Sequence, residues 1–499
     1  MLKISAFSLL LLFALTGCPQ GEDPPPIYTP PVSTPGSGGG ISLPGGSGGT
    51  ATGGAGGGAM GGAGGSAPMG GTSGTPAPAA SARFFLPTGE TTNTAAPTVE
   101  LDGQGSMHLV YPAYFGGSAF YATCGKDCSG PAAMKVVRFA TEGSVANTML
   151  ALDGQGRPRV LLSAAQKLYY ASCDRDCGQE SNWRTTMILD HQGDREVTGE
   201  ALALDPQGRP RFMMHTYRAY LGIGQKTPET FYVRCDAADC HSAGAWQSSK
   251  IATQIWESAS LRFDATGRGH LAFVATVVEG PNAGAKLAGY ALCERDCEGE
   301  NAWAPAGLMN AFTSETDAVR IGAAVSLALT APARPRVLVL GKTDDGQRSV
   351  VYFECDHDCT GANWHGSIIS NHAQIGAGLD LALDRQGHPR VAYTVGYNIG
   401  LAFCDDASCV GETSKWDLTK VELGSDLPKD DIILWPNCTI DAWFLHSPSI
   451  ALTAEGSPRV GYQARDVSGG FDRPDPTRPR CRAGTDMTFS RFAVMPGYR

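Results

Sequence analysis

The sequence predicts an all-β fold, a seven-bladed β-propeller of four-stranded antiparallel blades preceded by a disordered linker, and three observations predict it. First, a nine-residue phrase is rewritten along the chain. Its clearest form is residues 152–160 (LDGQGRPRV), and it returns at 204–212 (LDPQGRPRF), 263–271 (FDATGRGHL) and 383–391 (LDRQGHPRV). Looser copies are 101–109, 329–337 and 452–460, so the seven copies step by 51, 52, 59, 66, 54 and 69 residues. A period of this size belongs to propellers, solenoids or arrays. Second, each phrase reads as strand, tight turn and strand, and is followed by a further strand, a closely spaced cysteine pair and a fourth strand. Third, none of these units shows a helical period. Parallel β-helices repeat at shorter intervals, and separate sandwiches need about 100 residues each.

The amino terminus, residues 1–18, has the pattern of an export signal. Lys3 supplies the positive charge, residues 4–15 form an apolar run, and residues 15–18 (LTGC) form the small-residue cleavage region. The run is too short to cross a bilayer as a stable helix. Residues 19–82 are Pro-rich and then Gly/Ser/Ala/Thr-rich, with almost nothing apolar to bury, so they are expected to stay disordered. A Gly-rich coil of this length has a root-mean-square span of about 40–50 Å, which suits a tether. Glycine keeps no strict third-position period there, which excludes a collagen-like helix.

The head, residues 83–499, is expected to close on itself as one ring. Two terminal segments compete for the last blade. Residues 83–87 could complete it, yet 488–495 reads as that blade's own fourth strand, and one of the two is surplus.

Within a unit, the turn aspartate accepts hydrogen bonds from backbone N–H groups just after it, and the following glycine takes a positive φ. Proline then opens the outgoing strand, where a missing N–H does little harm. One carboxylate per loop is too few for calcium. The tryptophan that opens the fourth strand recurs as Trp183, Trp246, Trp303, Trp364 and Trp416, with Met134 in the first unit.

Fifteen cysteines decide the redox chemistry. Six pairs sit at the hairpin between third and fourth strands: Cys124/Cys128, Cys173/Cys177, Cys235/Cys240, Cys293/Cys297, Cys355/Cys359 and Cys404/Cys409. Cys438 and Cys481 are paired as a seventh across an insertion, with Cys481 taken as the first hairpin cysteine of the last unit. An even count of local pairs behind an export signal reads as disulfides. Zinc needs four ligands together, and each pair stands alone in its repeat.

In a propeller the first-to-second and third-to-fourth turns share one face, here the face of the Asp turns and cystines. The opposite face carries the variable connections, and variable loops on a rigid scaffold are where binding residues collect. Candidate ligand-binding residues on that loop face are Tyr114, Phe115, Tyr217, Tyr220, Trp256, Tyr397, Trp435, Trp443 and His446, since aromatic rings with polar tips suit sugar faces or protein partners.

The case for catalysis is thin. No GxSxG, HExxH, P-loop or dinucleotide fingerprint occurs. The Asp-Gly-Gln-Gly stretch joins two strands, whereas a phosphate loop precedes a helix. The repeat loosely resembles the Asp-box of sialidase propellers but lacks its Ser-x-Asp-x-Gly-x-x-Trp order. Asp194, Glu196, Glu200 and Glu257 lie in connections where a glycosidase pair could form. Neither a cofactor nor a metal is expected. Arg157, Arg159, Arg209, Arg211, Arg334, Arg336, His388, Arg390 and Arg459 flank the turns, either as a cationic ring or as partners of the turn aspartates. A formal net charge of −10 and no basic-aromatic interleaving argue against nucleic acid.

Residues 15–18 resemble the lipobox of bacterial lipoproteins. The resemblance implies acylation at Cys18, and Pro19 in place of Asp implies the outer membrane. Two or more acyl chains would anchor the chain stably. With the LDxxGxPRV and CxxxC repeats, the whole resembles surface lipoproteins of Gram-negative bacteria that carry seven-bladed β-propeller heads, a group mostly of unassigned function. The expectation is an envelope-anchored, monomeric binding or scaffolding head whose ligand is a glycan or an envelope protein. The alternative is a glycoside hydrolase or lyase using loop carboxylates.

Overall fold

The computed structural model describes residues 81–88, 94–113, 117–192, 195–218, 225–226, 229–277, 284–311, 324–343, 346–371, 378–411, 415–427, 443–466 and 488–495. Seven antiparallel sheets form a propeller. Blade 1 is Thr98–Leu101, Met107–Ala113, Ser118–Cys124 and Lys135–Ala140; blade 2 is Val145–Leu152, Pro158–Ala164, Lys167–Cys173 and Trp183–Asp190. Blade 3 is Arg195–Leu204, Pro210–Arg218, Thr230–Cys235 and Trp246–Ala252, with Gln225–Lys226 added to its second strand. Blade 4 is Ile255–Phe263, Gly269–Thr276, Lys286–Cys293 and Trp303–Asn310; blade 5 is Val325–Leu329, Pro335–Lys342, Arg348–Glu354 and His365–Ser370. Blade 6 is Leu379–Leu383, Pro389–Val395, Asn398–Phe403 and Asp417–Glu422.

Blade 7 takes Trp443–Leu452, Pro458–Asp466 and Thr488–Val494 from the end of the chain and Ala82–Phe85 from its beginning. This corrects the reading of the last blade. Thr488–Val494 is its third strand, and Ala82–Phe85 pairs with it as the fourth, so neither is surplus. In sequence Cys481 precedes that third strand, whereas the hairpin cysteines of blades 1 to 6 end or follow theirs. Cys18, Cys438 and Cys481 lie outside the described residues.

First strands touch one another in order around the circle and back from blade 7 to blade 1, so they line the axis. Apolar cores lie in the seams between neighbouring blades: Val110, Tyr121 and Val137 of blade 1 pack with Leu150, Val160 and Leu162 of blade 2. Burial follows from this. Second strands are covered on both faces and read as continuous apolar runs, as in Met107–Ala113, where every residue is buried. Fourth strands such as Lys135–Ala140 alternate because their outer flank meets water.

Candidate functional site

On the turn face the repeated polar groups satisfy one another. Asp153 Oδ1 accepts from the backbone N–H groups of Gln155 (2.9 Å) and Arg157 (3.0 Å), and Asp102, Asp205, Asp264 and Asp384 do the same in their own turns. The glycine three residues on takes φ between 75° and 89° in six of the turns. In blade 5 Ala333 holds that place with φ 60°. The arginine after the turn proline spans the blade. Arg211 donates to Asp205 Oδ2 (2.8 Å), Asp236 Oδ1 (2.6 Å) and the carbonyl of Cys235 (2.7 Å), joining the Asp turn to the cystine hairpin. Arg159 and Arg390 repeat this arrangement. Arg336 reaches Asp356 and the Cys355 carbonyl. These cations serve as partners of their own blades rather than as a free ring.

Blades 1 and 4 replace this arginine with histidine. His108 Nδ1 lies 2.6 Å from Tyr121 Oη, and His270 Nδ1 lies 2.7 Å from Tyr290 Oη, each with Nε2 3.6 Å from its turn aspartate. Burial lowers the pKa of both rings despite that carboxylate. For Asp264, burial works to raise the pKa. Hydrogen bonds from Thr266 and Arg268 outweigh it and hold the carboxyl below its ordinary range. Asp384, His388 and Asp405 stand close enough together to hold a metal ion. Arg390 Nη2 already lies 2.7 Å and 2.6 Å from those two carboxylates, so a guanidinium occupies the position a cation would take.

Six disulfides form at the expected hairpins: Cys124–Cys128, Cys173–Cys177, Cys235–Cys240, Cys293–Cys297, Cys355–Cys359 and Cys404–Cys409. The tryptophan behind four of the pairs has a clear duty. Trp183, Trp246, Trp303 and Trp364 each donate Nε1–H to the carbonyl of the second cysteine at 2.8 Å. These four rings and that of Trp416 each meet a tyrosine of the preceding blade. The pairs are Tyr121–Trp183 (4.6 Å between centroids), Tyr170–Trp246 (5.2 Å), Tyr232–Trp303 (5.9 Å), Tyr290–Trp364 (5.1 Å) and Tyr352–Trp416 (5.3 Å). The sequence reading missed these tyrosines. Their signal is a Tyr-x-x-Cys spacing, repeated in blades 1 to 5 and replaced by Leu401 in blade 6.

The first strands are the inner edges of their sheets, and an unpaired backbone edge needs partners. Every blade junction supplies one. Ser449 Oγ accepts from Val99 N–H, Ser260 Oγ from Leu327 N–H, Ser326 Oγ from Leu381 N–H, and Asp380 Oδ2 from Ile450 N–H, at 2.9–3.2 Å. These four occupy one repeat position, three residues before the leading residue of the phrase. The other three junctions are bridged by Thr98 to the Thr148 carbonyl, Asn147 to the Gly199 carbonyl, and Glu200 to the Ala259 N–H. A girdle of side-chain bonds thus encircles the axis.

Glu100 of blade 1 also faces this channel. Desolvation by its surroundings raises its pKa to about 7, with Arg262 of blade 4 pulling down and Asp380 of blade 6 pushing up. Asp380 itself accepts from Ser326, Leu381 and Ile450, so both of its oxygens are engaged.

The loop-face candidates separate sharply. Trp256 is 7% exposed and stacks on Phe273 with centroids 4.2 Å apart. Trp443 is 1% exposed, packed against Phe85 and Phe489. His446 is 4% exposed, with Nδ1 2.8 Å from Ser447 Oγ; burial and then Arg465 push its pKa down to about 3. All three lie on first strands, where the neighbouring blades cover both flanks, and this removes them from the proposed exposed surface. Tyr397, at the tip of the second-to-third hairpin of blade 6, is 55% exposed. Its ring stands edge-on to Phe444 at 5.8 Å, and Phe444 stacks on His446 at 4.9 Å. Tyr217 lies on the second strand of blade 3 opposite Glu196. Tyr114, Phe115, Asp194, Tyr220 and Trp435 lie outside the described residues. Of the loop carboxylates, Glu257 Oε1 is 2.6 Å from Lys286 Nζ, and Glu200 belongs to the girdle.

No family model matches the chain, and no curated protein matches it. Among solved structures it is similar to the polysaccharide lyase Uly1, at 9% identity and a TM-score of 0.46, over 83% of this chain and 92% of that one. It is also similar to a PL25 ulvan lyase, at 12% identity and a TM-score of 0.41, over 64% of this chain and 77% of that one. A third likeness is to an alpha-L-arabinanase of Penicillium chrysogenum complexed with arabinobiose, at 11% identity and a TM-score of 0.40, over 69% and 98%.

Proposed function

We propose that the protein is an envelope-anchored binding head, held by acylated Cys18, whose loop face takes a glycan. The observation that carries this reading is the contrast between the two faces. The turn aspartates and the arginines after the turn prolines, Arg159, Arg211, Arg336 and Arg390, are paired within their own blades, whereas Tyr397 presents an exposed ring backed by Phe444 and His446. A rigidly backed aromatic with a polar tip stacks on the C–H face of a sugar and hydrogen-bonds its rim. Glycoside hydrolysis would ask for two free carboxylates about 5–10 Å apart. Glu257 and Glu200, the described loop carboxylates nearest that role, already serve Lys286 and the Ala259 backbone.

A glycan array beside a pull-down from solubilised envelope tests this. Saturable glycan binding that falls at least tenfold in Tyr397→Ala supports the reading. Capture of a protein with no glycan bound moves the partner to the other class. Glycan binding unaffected by Tyr397→Ala removes the shelf as the site.

A further inference from the structure

We infer that the turn-face mouth of the central channel is a second ligand site, a pocket for one small neutral polyhydroxylated ligand of monosaccharide to disaccharide size. Residues of blades 1 to 4 line a cavity of about 350 Å³ there: Glu100, Leu101, Leu152, Leu204, Arg262 and Phe263, with Asp102 and Asp153 of the first two turns. That volume sits at the small end of the ~300–1,000 Å³ typical of ligand pockets.

Four features fix the chemistry. The Glu100 carboxyl and the Arg262 guanidinium line the same cavity with opposite charge, which favours a neutral ligand over a free ion of either sign. Glu100 and Arg262 keep hydrogen-bonding capacity. Glu100 makes no hydrogen bond among the described residues, and Arg262 commits Nη1 to the Leu261 carbonyl. An acceptor on blade 1 and a donor on blade 4 can thus engage different hydroxyls of one ligand. The rest of the lining joins the leading residues of four consecutive repeats, Leu101, Leu152, Leu204 and Phe263, to polar turn residues of blades 1 and 2, a mixture that suits a sugar's alternating C–H and hydroxyl groups. Finally, position 100 departs from its repeat. Its counterparts are Ala151, Ala203, Ala328, Ala382 and Ala451, with Arg262 the other exception. Turn geometry needs neither residue, because five blades manage with alanine. The two exceptions meet in one cavity.

This site stands apart from Tyr397 and does not require the loop-face reading. The test is calorimetric titration of the purified chain with galactose, N-acetylglucosamine, rhamnose, cellobiose and glucuronate, for wild type, Glu100→Gln, Arg262→Gln and Tyr397→Ala. Expected is a saturable neutral-sugar site that weakens at least tenfold in both channel variants and persists in Tyr397→Ala, where any loop-face site is the one removed. Thermal unfolding of the two channel variants, unchanged or raised, separates lost contacts from lost fold. For a variant that fails to fold, protection of wild-type Glu100 from carbodiimide modification by the bound sugar gives the same answer. Three results overturn the inference: no saturable binding, binding that survives both channel substitutions, or binding of glucuronate alone. Binding lost only in Tyr397→Ala also overturns it, while leaving the loop-face reading intact.

Discussion

Arg211 Nη2 stands 2.8 Å from Asp205 Oδ2 and 2.6 Å from Asp236 Oδ1, so one guanidinium fastens the first turn of blade 3 to its cystine hairpin. Removing it leaves a buried Asp205 carboxylate short of one charge partner. Arg211→Met is expected to cost about 3–5 kcal/mol in denaturant unfolding. Arg211→His should cost much less, because Tyr232 stands where Tyr290 meets His270 in blade 4. Equal losses for the two substitutions would refute the equivalence of the blades.

Ala333 occupies the left-handed turn position with φ 60°, where six sister turns have glycine. A side chain there is strained by about 1–2 kcal/mol, and the added freedom of an unfolded glycine gives part of that back. Ala333→Gly is therefore expected to stabilise by about 0.5–1 kcal/mol. A lowered melting temperature would contradict the turn assignment in blade 5.

Trp303 fills the seam between blades 3 and 4 and donates to the Cys297 carbonyl. Trp303→Ala should destabilise by about 3–5 kcal/mol. Opening the Cys293–Cys297 loop with paired serines should cost only about 2 kcal/mol, since the closed loop is short. The order of these two losses, read by chemical unfolding, checks that the seams hold the ring and the cystines only trim it.

Glu100 titrates higher folded than unfolded, at about 7 against an ordinary 4.5. Its penalty is absent when both states are protonated, grows as pH rises through that window, and is complete above pH 7. Glu100→Gln should thus raise stability at pH 8 by about 1–3 kcal/mol and leave it unchanged near pH 4. His446 works the other way, with a folded pKa pushed down to about 3. Stability it contributes at neutral pH is lost as pH falls from about 6.5 toward 3. A pH series of melting curves for wild type, Glu100→Gln and His446→Gln reads both slopes. Parallel curves would contradict the burial of both groups.

The repeat phrase made blade number, turn chemistry and six cystines legible, because each is written locally within a few residues. The closing strand was harder. Ala82–Phe85 pairs with Thr488–Val494 across nearly the whole chain, and a four-residue strand has too little pattern to reveal its partner. The girdle was invisible for a related reason. Ser260, Ser326, Asp380 and Ser449 look like ordinary polar alternation until the ring brings each beside the next blade's backbone. Among the aromatics, composition gave no means to separate Tyr397 from Trp443. One sits on a hairpin tip that outruns the sheet, and the other begins a first strand enclosed by its neighbours.

Hydrogen exchange with and without isolated envelope polysaccharide bears most directly on the claim that the loop face binds. Slowed exchange at amides 396–398 and 424–426, around the Tyr397 hairpin and the loop bonded to it through Asn398 and Gly424, is the predicted result. Bound polysaccharide that leaves 396–398 exchanging at the free rate, or no binding at all, would contradict it.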